Sequence, residues 1–95
     1  MRKFELGRLV ATAGVSREIK LDATFDIFVR ISLGRYTKGD WGDMSSDDKS
    51  LNDKAVHEGD LRIFGAYICE STKEKIWIIT EADRSCTTIL FPDEY

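Results

Sequence analysis

The side chains most able to do chemistry in this sequence are one histidine and two cysteines. His57 stands in a polar stretch, whereas Cys69 and Cys86 stand in apolar runs. A thiol nucleophile needs a base beside it, and no glycine-framed turn exposes either cysteine. Two cysteines seventeen residues apart with one distant histidine match no zinc-binding spacing. We therefore predict no catalytic residue, an exposed His57 at a helix end, and reduced, buried thiols in preference to a disulfide.

Aspartates at positions 40, 43, 47 and 48 form the densest group of possible oxygen ligands. A calcium loop of the EF-hand type needs ligands at alternate positions, a central glycine and a terminal glutamate, and this stretch lacks that pattern. The sequence also contains no glycine-rich phosphate-binding motif. We predict that the protein uses no metal and no cofactor, and that these carboxylates cap helices and form turns.

Two polar stretches remain as candidates for binding a partner. Residues 39–43 hold a tryptophan between aspartates just before an acidic helix start, and residues 80–85 form a polar hairpin tip. An aromatic side chain flanked by charge is typical of a protein contact surface. The candidate contact residues are Asp40, Trp41, Asp43, Asp47, Asp48, Glu81, Asp83 and Arg84. The structural alternative makes Trp41 a lid on the core and pairs Arg84 with a nearby carboxylate.

The net charge of −3 over 95 residues conceals an uneven distribution. Residues 1–39 carry eight basic and four acidic side chains, residues 40–60 carry two and seven, and residues 61–95 carry four and six. The length predicts a single domain over 1–95, and the composition excludes disordered and collagen-like classes. No stretch approaches the roughly 18 apolar residues of a membrane span. We expect a cytoplasmic protein without a membrane or secretion segment.

The pattern of apolar residues predicts an α+β domain. A strand over 4–12 and one irregular or helical turn over 15–19 precede a helix that begins after Asp22 and ends at Gly39. A second helix opens at Ser45, turns Leu51 and Ala55 inward with Val56 beside them, and closes at a glycine. Three strands follow, over 61–70, 75–80 and 86–91. The predicted order is β-α-α-β-β-β, with an antiparallel sheet of about four strands and two helices packed on one face.

Both faces of the predicted sheet carry large apolar side chains. Ile76 and Ile78 alternate with Trp77 and Ile79 along one strand, although two helices can cover a single face. The second face is therefore closed by curvature of the sheet or buried against a partner. We formulate a homodimer through this face as a hypothesis, because large exposed apolar patches usually mark contacts.

Three stretches carry a resemblance to a known family. Residues 39–43 (GDWGD), 76–85 (IWIITEADRS) and 87–95 (TTILFPDEY) resemble short plasmid-related proteins of bacteria, which are found on plasmids and other mobile elements. The resemblance covers most of 4–12 and 39–95, is most specific at the C-terminal end, and departs between residues 12 and 36. It implies an accessory-gene product that handles host defence, and it carries over no activity or site residue.

These observations lead to two hypotheses about function, which belong to different classes. The first is a non-enzymatic protein-binding module, an inhibitor of a restriction or CRISPR effector that offers an acidic surface to a groove normally filled by nucleic acid. Its acidic residues are Asp40, Asp43, Asp47, Asp48, Asp53, Glu58 and Asp60. The second is a dimeric regulatory or accessory protein that contacts nucleic acid through its basic first helix, with Arg30, Arg35 and Lys38. The acidic middle segment and a pI of about 5.1 disfavour direct binding to nucleic acid.

Overall fold

The computed structural model describes residues 2–95, and it confirms the α+β class. The elements in chain order are β1 (Arg8–Ala11), α1 (Ala13–Leu21), α2 (Ala23–Thr37), α3 (Ser46–Glu58), β2 (Ile63–Ile68), β3 (Lys75–Thr80), β4 (Cys86–Leu90) and a 3-10 turn (Pro92–Glu94). The number of helices differs from the predicted two, because the turn expected over 15–19 is a full helix, α1.

Side-chain caps define the ends of the helices. Thr12 accepts the N–H of Val15 at the start of α1, and Asp22 accepts N–H groups of the first turn of α2. Ser45 does the same for α3, which ends at Gly59 in a left-handed conformation with φ of 77°. The predicted starts after Asp22 and Ser45 and the predicted end at Gly59 are confirmed.

The sheet is mixed, in the order β1-β4-β3-β2. β2, β3 and β4 form an antiparallel meander, whereas β1 pairs in parallel with β4. The expectation of a wholly antiparallel sheet is therefore wrong at β1. Short turns force consecutive strands to be antiparallel, but three helices separate β1 from the rest of the sheet, so no turn determines its direction.

One face of the sheet packs against the helices and forms the core. Its strand residues include Ile63, Ile76, Ile78 and Ile89, and α2 contributes apolar and aromatic side chains. The deepest polar group is a chain of hydroxyls: Tyr36 contacts Thr80 at 2.7 Å, Thr80 contacts Thr87 at 2.7 Å, and Thr87 donates to the carbonyl of Leu6 at 2.7 Å. Burial raises the pKa of Tyr36, which therefore stays protonated and available as a donor.

The second face of the sheet is covered by aromatic side chains of the same chain. Phe64 packs on Trp77 with ring centroids 4.9 Å apart, and Trp77 meets Tyr95 edge-on at 5.7 Å. The guanidinium of Arg62 lies over the Tyr95 ring and donates to its hydroxyl at 2.9 Å. Ile79 is only 4% exposed in the single chain. The C-terminal residues thus cover much of the face on which the dimer hypothesis relied.

The free edge of β2 is closed by groups from outside the sheet. The side-chain amide of Asn52 donates to the carbonyl of Phe64 at 2.7 Å and accepts its N–H at 3.1 Å. Two residues further on, Ala66 donates to the carbonyl of Trp41 at 3.1 Å and accepts the N–H of Asp43 at 2.7 Å. These four bonds satisfy outward-facing backbone groups of an edge strand, which would otherwise be free to pair with another chain.

Candidate functional site

The acidic middle segment folds into a loop and α3, which directs few of its side chains into the core. Ser45 caps the helix through the N–H of Asp48, and Asp47 lies in the same first turn, where carboxylates stabilise the positive end of the helix dipole. Only Asn52 and Ala55 of α3 are buried. Most polar side chains of α3 are therefore exposed.

The buried side of α3 differs by one residue from the prediction. Leu51 was expected to face inward, yet it is 58% exposed, whereas Asn52 beside it is 4% exposed. Asn52 turns inward because its amide satisfies both backbone groups of Phe64, and a leucine could not. The prediction for Ala55 is confirmed, since its side chain is fully buried.

Trp41 is a core residue. It is 2% exposed and packs against Phe4 and Tyr36, with ring centroids 5.9 and 5.6 Å away. Its indole N–H donates to Asp53 at 3.0 Å. Gly42 follows with a φ of 79°, and a Cβ there would clash with the backbone of β2. The indole therefore holds the loop against the sheet edge and offers almost no surface to a partner.

The two aspartates that flank Trp41 already have cationic neighbours. Asp40 accepts two hydrogen bonds from Arg35, at 2.7 and 3.2 Å, and this bidentate contact lowers the pKa of the carboxyl and raises that of the guanidinium. Asp43 lies 3.8 Å from the ammonium of Lys75. Their charges are thus compensated locally.

Arg84 joins the predicted hairpin tip to α3. Its guanidinium donates to the carbonyls of Leu61, Glu81, Ala82 and Ala55, at distances from 2.7 to 3.1 Å. The carbonyl of Ala55 lies near the end of α3, so this side chain fixes the β3–β4 hairpin tip beside that helix. The expected partner of Arg84 was a carboxylate, but backbone carbonyls take its place.

The exposed carboxylates of α3 and of the hairpin tip form a surface that we call the acidic band. Its members lie at the start of α3, near its end, and on the hairpin tip: Asp47, Asp48, Glu58, Asp60, Glu81 and Asp83. Among the described residues, only Glu58 of this set has a basic nitrogen within salt-bridge distance, Lys54 at 3.9 Å. The backbone N–H of Ser85 donates to Asp83 at 3.0 Å, and hydrogen bonding from Ser85 lowers the pKa of that carboxyl.

The band has a defined length. Asp47 and Glu58 are eleven residues apart on one helix, and a rise of about 1.5 Å per residue separates them by roughly 16 Å. Lys49 and Lys54 are exposed on the same helix. The surface therefore carries two groups of carboxylates, one at each end of α3, with lysines between them.

The basic side chains of α2, the first of the two predicted helices, are largely paired. Arg30 contacts Asp26 at 3.0 Å, and Arg35 is held by Asp40. Of the three cations named for nucleic-acid contact, only Lys38 has no carboxylate within 4.0 Å in the part of the chain that the structure describes. Neutralised arginines release fewer counterions from a phosphate backbone, so this pairing weakens the nucleic-acid interpretation.

The histidine and the cysteines lie on separate elements. His57 is exposed in the last turn of α3, Cys69 is buried just after β2, and Cys86 opens β4. Both cysteines are free thiols, and hydrogen bonding from Ser71 lowers the pKa of Cys69. Cys69 lies level with Glu74, before β3 begins, whereas Cys86 lies level with Glu81, after β3 ends. The two thiols therefore lie at opposite ends of the sheet, beyond disulfide distance.

Several structural contacts carry no signal in the sequence. Asn52 and Phe64 are 12 positions apart, Arg84 is 23 and 29 positions from Leu61 and Ala55, and the Tyr36–Thr80–Thr87 chain joins three elements. Residues 2–95 contain no group of three or more His, Cys, Asp or Glu arranged to hold a metal ion. Within the same residues, no helix is both long and apolar enough to cross a bilayer.

Comparisons of the chain with protein-family models, with curated proteins and with solved structures found no significant match.

Proposed function

We propose that this protein is a non-enzymatic binding module that acts in the bacterial cytoplasm by presenting the acidic band to a larger protein partner. The observation that carries the proposal is the set of exposed carboxylates along α3 and the adjoining hairpin tip, of which only Glu58 has a cationic partner among the described residues. Carboxylates elsewhere, such as Asp26 and Asp40, are matched with arginines of the same chain. An unmatched negative surface favours association with a positive one and speeds the encounter.

The partner class we propose is a defence effector with a basic nucleic-acid groove. Carboxylates can occupy positions that phosphates normally fill, because both are anionic acceptors for Arg and Lys. Two acidic groups about 16 Å apart reach along such a groove farther than one cluster can. The resemblance of 39–43, 76–85 and 87–95 to plasmid-related proteins supports a counter-defence setting, either anti-restriction or anti-CRISPR.

The experiment is a plasmid-transfer assay in bacteria that carry a restriction or CRISPR system, with the protein supplied in the recipient cell. The wild type should raise the efficiency of transformation by a targeted plasmid. The double variant Asp47→Lys/Asp48→Lys reverses charge at one end of the band, and we expect it to lose most of this effect. Glu81→Lys/Asp83→Lys tests the other end of the band.

The matched control is Glu70→Lys/Glu74→Lys, which makes the same change in charge at the exposed β2–β3 turn, outside the band. This variant should protect the plasmid as well as the wild type does. If all variants lost protection equally, the effect would depend on net charge and not on the acidic band. A wild type that gives no protection would contradict the counter-defence role. Binding of the wild type to DNA that weakens with salt would instead favour the nucleic-acid alternative.

A further inference from the structure

The edge of the sheet formed by β1 is open. In the parallel register of β1 with β4, the N–H groups of Arg8 and Thr12 point toward β4 and bond to the carbonyls of Ser85 and Ile89. Backbone groups alternate along a strand, so the N–H and C=O groups of Leu9 and Ala11 point away from the sheet. In the part of the chain that the structure describes, no side chain donates to or accepts from them.

An apolar groove lies beside this open edge, between β1 and α2. Its volume is about 330 Å³, and its lining is almost wholly aliphatic: Leu9, Val10, Ala11, Ile19, Val29, Leu33 and Ile89, with Asp26 and Arg30 at the rim. Leu9 is 46% exposed and Ile27, on the neighbouring outer surface of α2, is 57% exposed. Strand pairing at this edge would bury apolar surface together with backbone groups.

The charged rim of the groove is complementary to itself. Asp26 and Arg30 lie one helical turn apart and pair at 3.0 Å on the surface of α2. A two-fold axis that runs across α2 would make its two copies antiparallel and turn Asp26 of one copy toward Arg30 of the other. A second copy would then present matched charges, apolar side chains and backbone groups to this surface.

We propose that two copies of this chain associate through β1, which pairs antiparallel with its equivalent to give a continuous eight-stranded sheet. Val10 lies at the two-fold axis, and Leu9 stands opposite Ala11 of the partner subunit, so that the two strands exchange backbone hydrogen bonds. The large side chain of Leu9 thus faces the small side chain of Ala11, and the groove has room for the leucine. Helix α3, which carries part of the acidic band, packs against β2 at the opposite edge of the sheet, so a dimer of this form leaves that part of the band accessible. This inference does not depend on the function proposed above.

The first test is sedimentation of the purified full chain at tens of micromolar. The wild type should sediment as a dimer. Leu9→Lys places a charge at the edge strand and removes buried apolar surface from both copies. The dissociation constant of the dimer should therefore rise by about 100-fold or more. Ile68→Lys is the matched control, because Ile68 ends the edge strand β2 and is also partly exposed. It should remain a dimer.

The second test uses the charged rim. Arg30→Asp sets like charges against each other across the two-fold axis and should weaken the dimer, whereas Asp26→Arg/Arg30→Asp restores the opposite pairing and should restore it. A wild type that sediments as a monomer overturns the proposal. A dimer that survives Leu9→Lys but dissociates on Thr88→Lys, a change on the second sheet face, also overturns it and supports the earlier hypothesis of a dimer through that face.

Discussion

The two edge strands of the sheet, β1 and β2, meet their surroundings in opposite ways. At β2, the amide of Asn52 and the backbone of 41–43 occupy the outward-facing groups of Phe64 and Ala66. At β1, Leu9 and Ala11 present the same kinds of groups without a partner among residues 2–95. Edge strands promote association unless something covers them. The chain therefore protects the β2 edge with groups from outside the sheet and leaves the β1 edge available for pairing.

The two edges also differ in the chemistry that holds them. The outward-facing groups of β2 are bonded by the side-chain amide of Asn52 and by backbone groups, neither of which titrates. The end of β1 is secured by a carboxylate: Glu94 accepts the hydroxyl of Thr12 at 2.6 Å and the N–H of Gly14 at 3.1 Å. A substitution that removes the contacts at β2 should therefore leave β1 unaffected, and protonation or replacement of Glu94 should leave β2 unaffected.

The largest effect is expected from Trp41→Ala, which removes the indole that holds 41–43 against β2. Truncating a buried aromatic side chain of this size lowers the free energy of unfolding by about 3–5 kcal/mol. Urea unfolding followed by circular dichroism measures the loss, and the amide of Ala66, which donates to the Trp41 carbonyl, should lose protection from hydrogen exchange. Trp77→Ala is the control, because Trp77 is only half-buried. Equal losses in the two variants would contradict the role assigned to Trp41.

An intermediate effect is expected from Asn52→Leu, which leaves the N–H and C=O of Phe64 unpaired at the edge. The free energy of unfolding should fall by about 1–3 kcal/mol, and the reopened edge should promote association, seen as increased light scattering. Asn52→Asp keeps an acceptor for the Phe64 N–H but places negative charge near its carbonyl, so only half of the contact survives.

The control for this change is Lys54→Leu, which adds the same apolar side chain at an exposed position of α3. It should leave both the Phe64 amide and the solubility of the protein close to wild type. If Lys54→Leu scattered light as strongly as Asn52→Leu, the association would arise from added surface hydrophobicity and not from the opened edge.

The smallest effect is expected from Glu94→Gln, and it depends on pH. Hydrogen bonding from Thr12 lowers the pKa of Glu94 below its ordinary value of 4.5. The ionised carboxylate therefore stabilises the fold above that ordinary value, and its contribution is lost as the pH falls through the lowered pKa. Because Glu94 is exposed, the loss should be less than about 1 kcal/mol.

Hydrogen exchange at neutral and at acidic pH checks this expectation. In the wild type, acid should reduce the protection factor of the Gly14 amide, whereas that of the Phe64 amide should change less. Glu94→Gln should remove the pH dependence at Gly14 that the carboxylate causes. A wild type and a variant with the same pH profile at Gly14 would contradict the role assigned to the Glu94 carboxylate.

Much of the local structure could be predicted from the sequence. Asp22 and Ser45 mark helix starts because a side-chain oxygen satisfies N–H groups only two or three residues away. Residues 75–80 are a strand as predicted, because their β-branched and aromatic side chains favour an extended backbone. The acidic character of 40–60 is likewise a property of sequence order alone. Its division into paired and unpaired carboxylates is not, since Arg35 and Lys75 come from other elements.

The contacts between residues far apart in the chain could not be predicted, because they depend on the tertiary fold. The parallel direction of β1, the burial of Asn52 in place of Leu51, and the backbone acceptors of Arg84 each depend on where a distant element lies. The helix caps and most strand positions follow from the amino-acid sequence, because they rest on interactions over a few residues, and the concentration of negative charge in 40–60 follows from residue order alone. The open edge at β1 and the closed edge at β2 follow from packing of the whole chain, which alone decides which backbone groups find partners.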